Sequence, residues 1–367
     1  MNKRILYISN MYPSKKYKHY GIFVKNMELD MQNLGYELDK VVKTKQDFIL
    51  SKVVSYFFFY MKIFFKSLCK KYDIIYVHFI SHSARFLMKK KATLILHAHG
   101  NDIIADTKKD EKNKKHSQEA LQKSDLVVVP STYFKNILEK NYQVNPKMIK
   151  VYPSGGINFH IMKKLDQKKC QEELGLDKKY SYLLMVSRIE KDKGWDSLLK
   201  ALHILKEKNQ FQNKKLIVVG SGEEQEQFLS MIEKYHLQEE IILKPFASQK
   251  ELVKYYNAAE VVIFPTKRKS ESLGLVGLEA FACATPLIVC TLYGPSTYAT
   301  EDNAWTYQQE EELTKTMEEF FSSNEEEKKK KIKNALETAK EYDHQLLLPK
   351  LKDILNPEEK GYNSVEK

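Results

Sequence analysis

No Cys-x-x-Cys pair occurs among the four cysteines, Cys69, Cys170, Cys283 and Cys290. That argues against a zinc site or a disulfide framework and fits a reducing, cytoplasmic setting. Zinc-finger spacings and RNA-binding aromatic signatures are missing too, so nucleic acid is not an expected partner. "VVGSGEE" (218–224) never completes G-x-G-x-x-G, which leaves a nicotinamide fingerprint unsupported. Acids are outnumbered, 48 against 60 Lys and Arg, and the net charge is +12. Lysine runs such as Lys89-Lys90-Lys91 and "KKDEKNKK" (108–115) carry much of the excess. They read as solvated surface, or as a face for an anionic membrane or polyanionic ligand.

Long apolar runs are also scarce. The strongest, "VVSYFFFYMKIFFKSL" (53–68), is interrupted by Lys62 and Lys66 and is too short to span a bilayer comfortably. Two readings stay open for it: a buried or interdomain helix, or an aromatic surface that dips into a membrane interface. "MNKRILYISNMYP" has a short apolar run before a polar turn, and is expected to be a first strand, not a signal peptide.

What is present is a regular alternation. Apolar, β-branched segments predict strands at 4–9, 39–42, 73–78, 93–98, 126–129 and 149–152, with helical stretches such as 22–34 and 116–123 between them. "YPSGGIN" (152–158) breaks the rhythm, and a charged helical segment follows at 163–176. The alternation then restarts, with strands at 181–186, 216–219, 241–244, 261–264 and 287–290 and helices at 194–209, 223–236, 248–258 and 274–284. Two α/β domains with doubly wound parallel sheets are expected, 1–160 and 161–343, each with its own core. A ligand cleft would lie at the strands' carboxyl ends. The charged block 310–343 reads as exposed helices, "HQLLLPKLKDIL" (344–355) carries enough leucine to dock on a core, and the last dozen residues look frayed.

Chemistry concentrates in the strand-following loops. "SESLGLVGLEA" (270–280) sets Glu271 and Glu279 eight positions apart around Gly274 and Gly277. Gly274 near a helix start offers unpaired N–H groups and the positive dipole end to an anion. Carboxylates would repel a phosphate on contact, but suit hydroxyl groups on either side of it. An anion flanked by two hydroxyl-bearing rings describes a sugar nucleotide. "VSRIEKDKGW" (186–195) adds Arg188 and Lys193 across a turn ending in Gly194, a planar fork and a point charge suited to a diphosphate. Gly220 in "VVGSGEE" is either a tight strand-to-helix turn or a backbone approach to a nucleotide. In "HAHGND" (97–102), His97 would face the sheet core, while His99 would emerge at the loop to donate to a sugar hydroxyl or stabilise charge. "NMYPSKKYKHYGIFV" (10–24) puts Lys15, Lys16 and Lys18 where they could help hold an acceptor, with Gly21 near the next helix.

These motifs resemble the retaining glycosyltransferases of family 4, over nearly the whole chain. Most weight rests on Glu271-x7-Glu279, supported by Arg188 with Lys193-Gly194 and by His99-Gly100-x-Asp102. The resemblance implies the GT-B fold, two Rossmann-like domains facing across a cleft, with the 344–367 segment packing back on the first. It implies that Glu271 binds a hydroxyl of the donor sugar beside the backbone of Leu273, Gly274 and Leu275, and that Glu279 takes the ribose. Arg188 and Lys193 would hold the diphosphate, His99 would face the donor sugar, and Gly21 would lie under the phosphates. The base would be read near Phe246. "PSGGIN" and the extra cations of "PTKRKSES" depart from the family pattern. No cofactor and no metal are expected, because two cations would do the work of the usual divalent ion. The expected donor is a UDP-sugar and the expected acceptor a saccharide, lipid-linked and part of a surface polysaccharide such as a capsule or exopolysaccharide. Such an acceptor asks for peripheral contact with the cytoplasmic face of an anionic membrane. Rival readings are a GT-B epimerase acting on the sugar nucleotide and a non-catalytic partner subunit of the same fold.

Overall fold

The structure, a computed structural model, describes residues 3–18, 20–88 and 91–357. Lys89 and Lys90 of the lysine run, and most of the segment expected to fray, lie outside these residues. The chain divides into two compact units, one running up to Gly155 and resuming at Gln345, the other Gly156–His344.

In the first unit, strands alternate with helices: β1 (Arg4–Tyr12), α1 (Ile22–Asn33), β2 (Glu37–Thr44), α2 (Ile49–Leu68), β3 (Ile74–His78), α3 (Ile80–Ser83), β4 (Thr93–His97), α4 (Lys108–Leu121), β5 (Leu126–Val129), α5 (Thr132–Tyr142) and β6 (Ile149–Val151). The six strands form one parallel sheet in the order β2-β1-β3-β4-β5-β6. Both faces are apolar because successive side chains point opposite ways. Leu6, Ile8, Ile75, Val77, Leu94 and Leu96 pack with Phe59 and Ile63 of α2. Ile5, Tyr7, Ile74, Tyr76 and Ile95 pack on the other face with Val24, Met27 and Met31 of α1.

The second unit repeats the plan with α6 (Gln167–Glu173), β7 (Ser181–Val186), α7 (Trp195–Glu207), β8 (Lys214–Val219), α8 (Gln225–Lys234), β9 (Ile241–Lys244), α9 (Gln249–Ala258), β10 (Val261–Phe264), α10 (Leu275–Ala282), β11 (Leu287–Cys290), β12 (Trp305–Tyr307), α11 (Glu312–Ser322) and α12 (Glu325–Lys340). Its parallel sheet runs β12-β11-β10-β7-β8-β9. The chain then returns to the first unit through α13 (His344–Leu355), whose Leu347, Leu351, Ile354 and Leu355 are buried beside Ile5 and Tyr7.

Several expectations need correction. α4 starts at Lys108, not 116: Thr107 and Asp110 form a capping box, so the "KKDEKNKK" run makes its first turns. In α11, expected to be exposed, Leu313, Met317 and Phe320 are buried. β12 is not among the expected strands, since three residues carry too little periodicity. The buried reading of 53–68 does not hold, because only Phe59, Ile63 and Ser67 of α2 are buried.

Candidate functional site

In the second unit the sheet order runs back through β7-β8-β9 and forward through β10-β11-β12. Such a reversal leaves a crevice at the strands' carboxyl ends. The β7–α7 and β10–α10 loops rise on either side of it. They are pressed backbone to backbone: Gly194, at φ 77, lies so close that a Cβ there would stand 1.8 Å from the Pro265 carbonyl oxygen.

That contact brings Lys193 to Glu271. Lys193 Nζ donates to Glu271 Oε2 at 2.6 Å, with the side chains only 12% and 16% exposed. The Thr266 hydroxyl donates to the same oxygen at 3.3 Å. The Glu271 backbone is tied at both ends, its N–H donating to the Arg268 carbonyl and its carbonyl accepting from Gly294 N–H. Arg188 is differently placed. Its side chain is 63% exposed and its guanidinium lies 2.5 Å from Glu190, whose other oxygen takes Arg268 at 3.4 Å.

α10 opens on Gly274 at φ 81, without a side-chain cap. A Cβ there would stand 2.5 Å from the Phe264 ring, so only glycine fits. The bare helix start leaves its first N–H groups without intrahelical partners at the positive dipole end. The Tyr298 hydroxyl donates to the Gly274 carbonyl at 2.7 Å and pins this end. Leu273 is buried beneath it, and Leu275 is half-buried. Glu279, on the fifth residue of α10, accepts from the Tyr256 hydroxyl at 2.6 Å. Its residue keeps some surface exposure, yet burial pushes the carboxyl up to about 7, opposed by the Tyr256 hydrogen bond.

Gly220 packs against the backbone at the start of the β7–α7 loop. A Cβ there would lie 1.9 Å from the Ser187 carbonyl oxygen, and the next residue's carbonyl, on Ser221, accepts from Ile189 N–H. Phe246, two residues beyond β9, is 58% exposed.

In the first unit, β1 and β3 flank the corresponding reversal. Gly21 caps α1 there at φ 73 against the Met11 backbone. Phe23, in the first turn of α1, lies 4.9 Å ring to ring from His99. His99 also touches Phe79 and stacks on His97 at 4.1 Å between ring centres. Its Nε2 is 2.7 Å from His78 Nδ1. Asp102 accepts from the backbone N–H of His99, Gly100 and Ile80, which fixes the loop. Burial, then the neighbouring His97 and His78, hold the His99 imidazole well below its ordinary range, so it is neutral at physiological pH. Burial alone takes His97 to about 3.

Ring nitrogens of His78, His97 and His99 lie within 4.8 Å of one another, near enough to raise the question of a metal. The arrangement does not suit one. His78 Nδ1 and His99 Nε2 are spent on one another at 2.7 Å, and His97 Nδ1 on the Tyr76 hydroxyl at 2.9 Å, so each ring already has one nitrogen engaged within the protein. Sequence reasoning missed His78, although it ends its strand opposite His97 in register. It missed Tyr256, Thr266 and Tyr298 as well, and nothing in their spacing marks them. Arg268 is one of the extra cations of "PTKRKSES".

The comparisons agree with this architecture. Residues 166–338 match the family described as "Glycosyl transferases group 1", and residues 31–155 match "Glycosyltransferase Family 4". A D-inositol 3-phosphate glycosyltransferase of Segniliparus rotundus is 31% identical over 176 residues. The match takes in 47% of this chain and 38% of that protein, so the chain spans less than half of that relative's length. Among solved structures, a sucrose-phosphate synthase from Thermosynechococcus elongatus superposes with a TM-score of 0.80 at 17% identity, over 97% of this chain and 99% of that one. Anabaena HepE in complex with UDP and glucose gives 0.71 at 17% identity, over 91% and 89%. At such identity the likeness is one of fold.

Proposed function

Because the chain belongs to the family 4 glycosyltransferases of the GT-B fold, we propose that it moves a hexose or N-acetylhexosamine from a nucleoside diphosphate sugar to a saccharide acceptor, with retention at the anomeric carbon. The observation that carries this reading is the Lys193–Glu271 pair, held beside the bare, glycine-capped start of α10. A diphosphate set against that helix start would draw Lys193 and bring the exposed guanidinium of Arg188 over from Glu190. Glu271, released from Lys193, would accept a hydroxyl of the transferred sugar, and Glu279 the ribose hydroxyls on the other side.

On this reading the acceptor oxygen attacks the anomeric carbon from the face that the diphosphate leaves. The carbon–oxygen bond to phosphate breaks, and the departing phosphate oxygen takes the acceptor's proton. Lys193 and Arg188 stabilise the growing negative charge, each by about 3 kcal/mol if they act like single oxyanion donors. Neutral His99 is the first unit's donor for a sugar hydroxyl, and that unit takes the acceptor. Phe246 stands by the base. UDP is the nucleotide of choice, since it is the one named with HepE. The acceptor is a lipid-linked saccharide of a surface polysaccharide, which places the protein peripherally at a membrane. No metal is required.

The test is a thermal-shift panel of UDP-, GDP- and ADP-sugars, since a ligand that binds only the native state raises its melting point. A UDP-sugar is expected to give the largest shift. Product formed with the acceptor omitted would favour an epimerase, and binding without turnover a non-catalytic subunit.

A further inference from the structure

α2 carries two apolar stripes, and only one is used. Tyr56, Phe59, Tyr60 and Ile63 face the core of the first unit. Leu50, Val53, Val54, Phe57, Phe58, Met61, Phe64 and Phe65 recur at the three- and four-residue spacing of a second stripe, and every one of them is exposed. Phe57, Phe58 and Phe65 each leave more than half their surface uncovered, as do Phe48 and Ile49 at the helix entry. Phe86, 63% exposed and 5.2 Å from the Tyr60 ring, widens the patch. Over about 30 Å of helix this is far more contiguous apolar surface than a protein leaves to water without a partner.

Charge says which partner. From Phe48 to Asn101 the sequence holds one acid, Asp73, against nine Lys or Arg. Lys52 and Lys62 are exposed beside the stripe. Of the acids just before the patch in sequence, Asp47 is paired with Lys16, and Asp39 with Lys66 and Lys71. Two copies meeting stripe to stripe would oppose lysine to lysine. An anionic lipid surface accepts the aromatic side chains and attracts the lysines together. No helix among the described residues is long and apolar enough to cross a membrane, so the helix would lie in the interface, not span it.

We infer that the outer stripe of α2 is an interfacial anchor, seating the first unit on an anionic phospholipid surface with Phe57, Phe58, Phe64 and Phe65 below the headgroups and Lys52 and Lys62 among them. This deepens the reading of a lipid-linked acceptor, and supplies the place where the enzyme meets it.

The experiment is flotation of the full chain with vesicles of phosphatidylglycerol and phosphatidylcholine, against phosphatidylcholine alone, at low and high salt. Binding is expected to be at least tenfold stronger to the anionic vesicles and to weaken with salt. Phe57→Ser/Phe65→Ser should lose at least tenfold, and Lys52→Gln/Lys62→Gln should lose the preference for anionic lipid, both with unchanged melting temperature. Trp195 and Trp305 are buried, so a Phe57→Trp variant gives a separable emission signal that should shift to the blue on vesicles. Failure to float, or flotation without that shift, overturns the anchor. So does a dimer that Phe57→Ser/Phe65→Ser converts to monomer while leaving vesicle binding untouched. None of these readouts involves a sugar. Loss of the anchor would leave transfer to a soluble acceptor measurable, and loss of transfer would leave flotation intact.

Discussion

The raised carboxyl of Glu279 makes donor binding depend on pH in a calculable way. Its folded value lies near 7, against an ordinary 4.5, because burial outweighs the Tyr256 hydrogen bond. Ribose hydroxyls donating to Glu279 would favour the anion, so binding below pH 7 must first release a proton. The ionised share falls from roughly 90% at pH 8 to roughly 10% at pH 6, and affinity for a UDP-sugar should weaken about tenfold, or about 1.4 kcal/mol. UDP-glucose is a suitable probe, since its diphosphate diester does not titrate in this window. Calorimetry at pH 6, 7 and 8, in buffers of differing ionisation enthalpy, should register nearly one proton released at pH 6 and little at pH 8. In Glu279→Gln both the slope and the proton should vanish. The unliganded protein carries the matching signature. A group whose folded pKa is raised stabilises fully below its unfolded value, here about 4.5, and that share is lost as pH rises through 7. The wild type should therefore gain less stability than Glu279→Gln between pH 6 and pH 8. A donor affinity constant within twofold from pH 6 to 8, or an equal slope in Glu279→Gln, would refute the assignment of the ribose to this acid.

Lys193→Met and Glu271→Gln should each lower kcat by about a hundredfold or more. Each should also cost roughly 1–3 kcal/mol of stability, because the remaining partner is left mostly buried and charged without its counter-ion. The double variant should cost less than the sum in denaturant melts, and strict additivity would mean that the pair is not coupled. His78→Asn keeps a donor near the Nδ1 position and should hold kcat within about threefold, whereas His78→Phe should lower it about tenfold with the donor KM unchanged. Equal effects of the two would remove His78 as a positioning residue for His99. Activity is expected to persist in excess chelator, and strict dependence on a divalent ion would count against the two-cation account.

The sheets were legible because runs such as Val261–Phe264 and Leu287–Cys290 are too β-branched and too short for helices, and both appear with those bounds. Gly274 was legible for a related reason: a glycine between a strand and a helix marks a turn that a side chain would obstruct. α4 was obscured because its first turns hold lysine, aspartate and asparagine, and a capping box outweighs that weak propensity. α2 was half legible. Its composition left a buried helix and an aromatic surface both open, because which of two apolar stripes meets the core depends on tertiary packing. The Lys193–Glu271 contact was not legible either, since the motifs assign both residues to a ligand and neither loop's course over the other is written in local spacing. It changes how the variants must be designed, because Glu271→Ala tests an ion pair as well as a sugar contact.

α13 has a consequence for biosynthesis. Leu347 and Leu351 fill the same cluster as Ile5 and Tyr7, more than three hundred residues earlier. A ribosome therefore releases the whole 156–344 unit before the segment that completes the first sheet's packing has been made. During that interval one face of β1 and β3 stays partly unclothed, a stretch in which chaperone binding and clumping compete with docking. Cutting the chain before Gln345 would make that interval permanent, so the damage should fall on the half that is translated first.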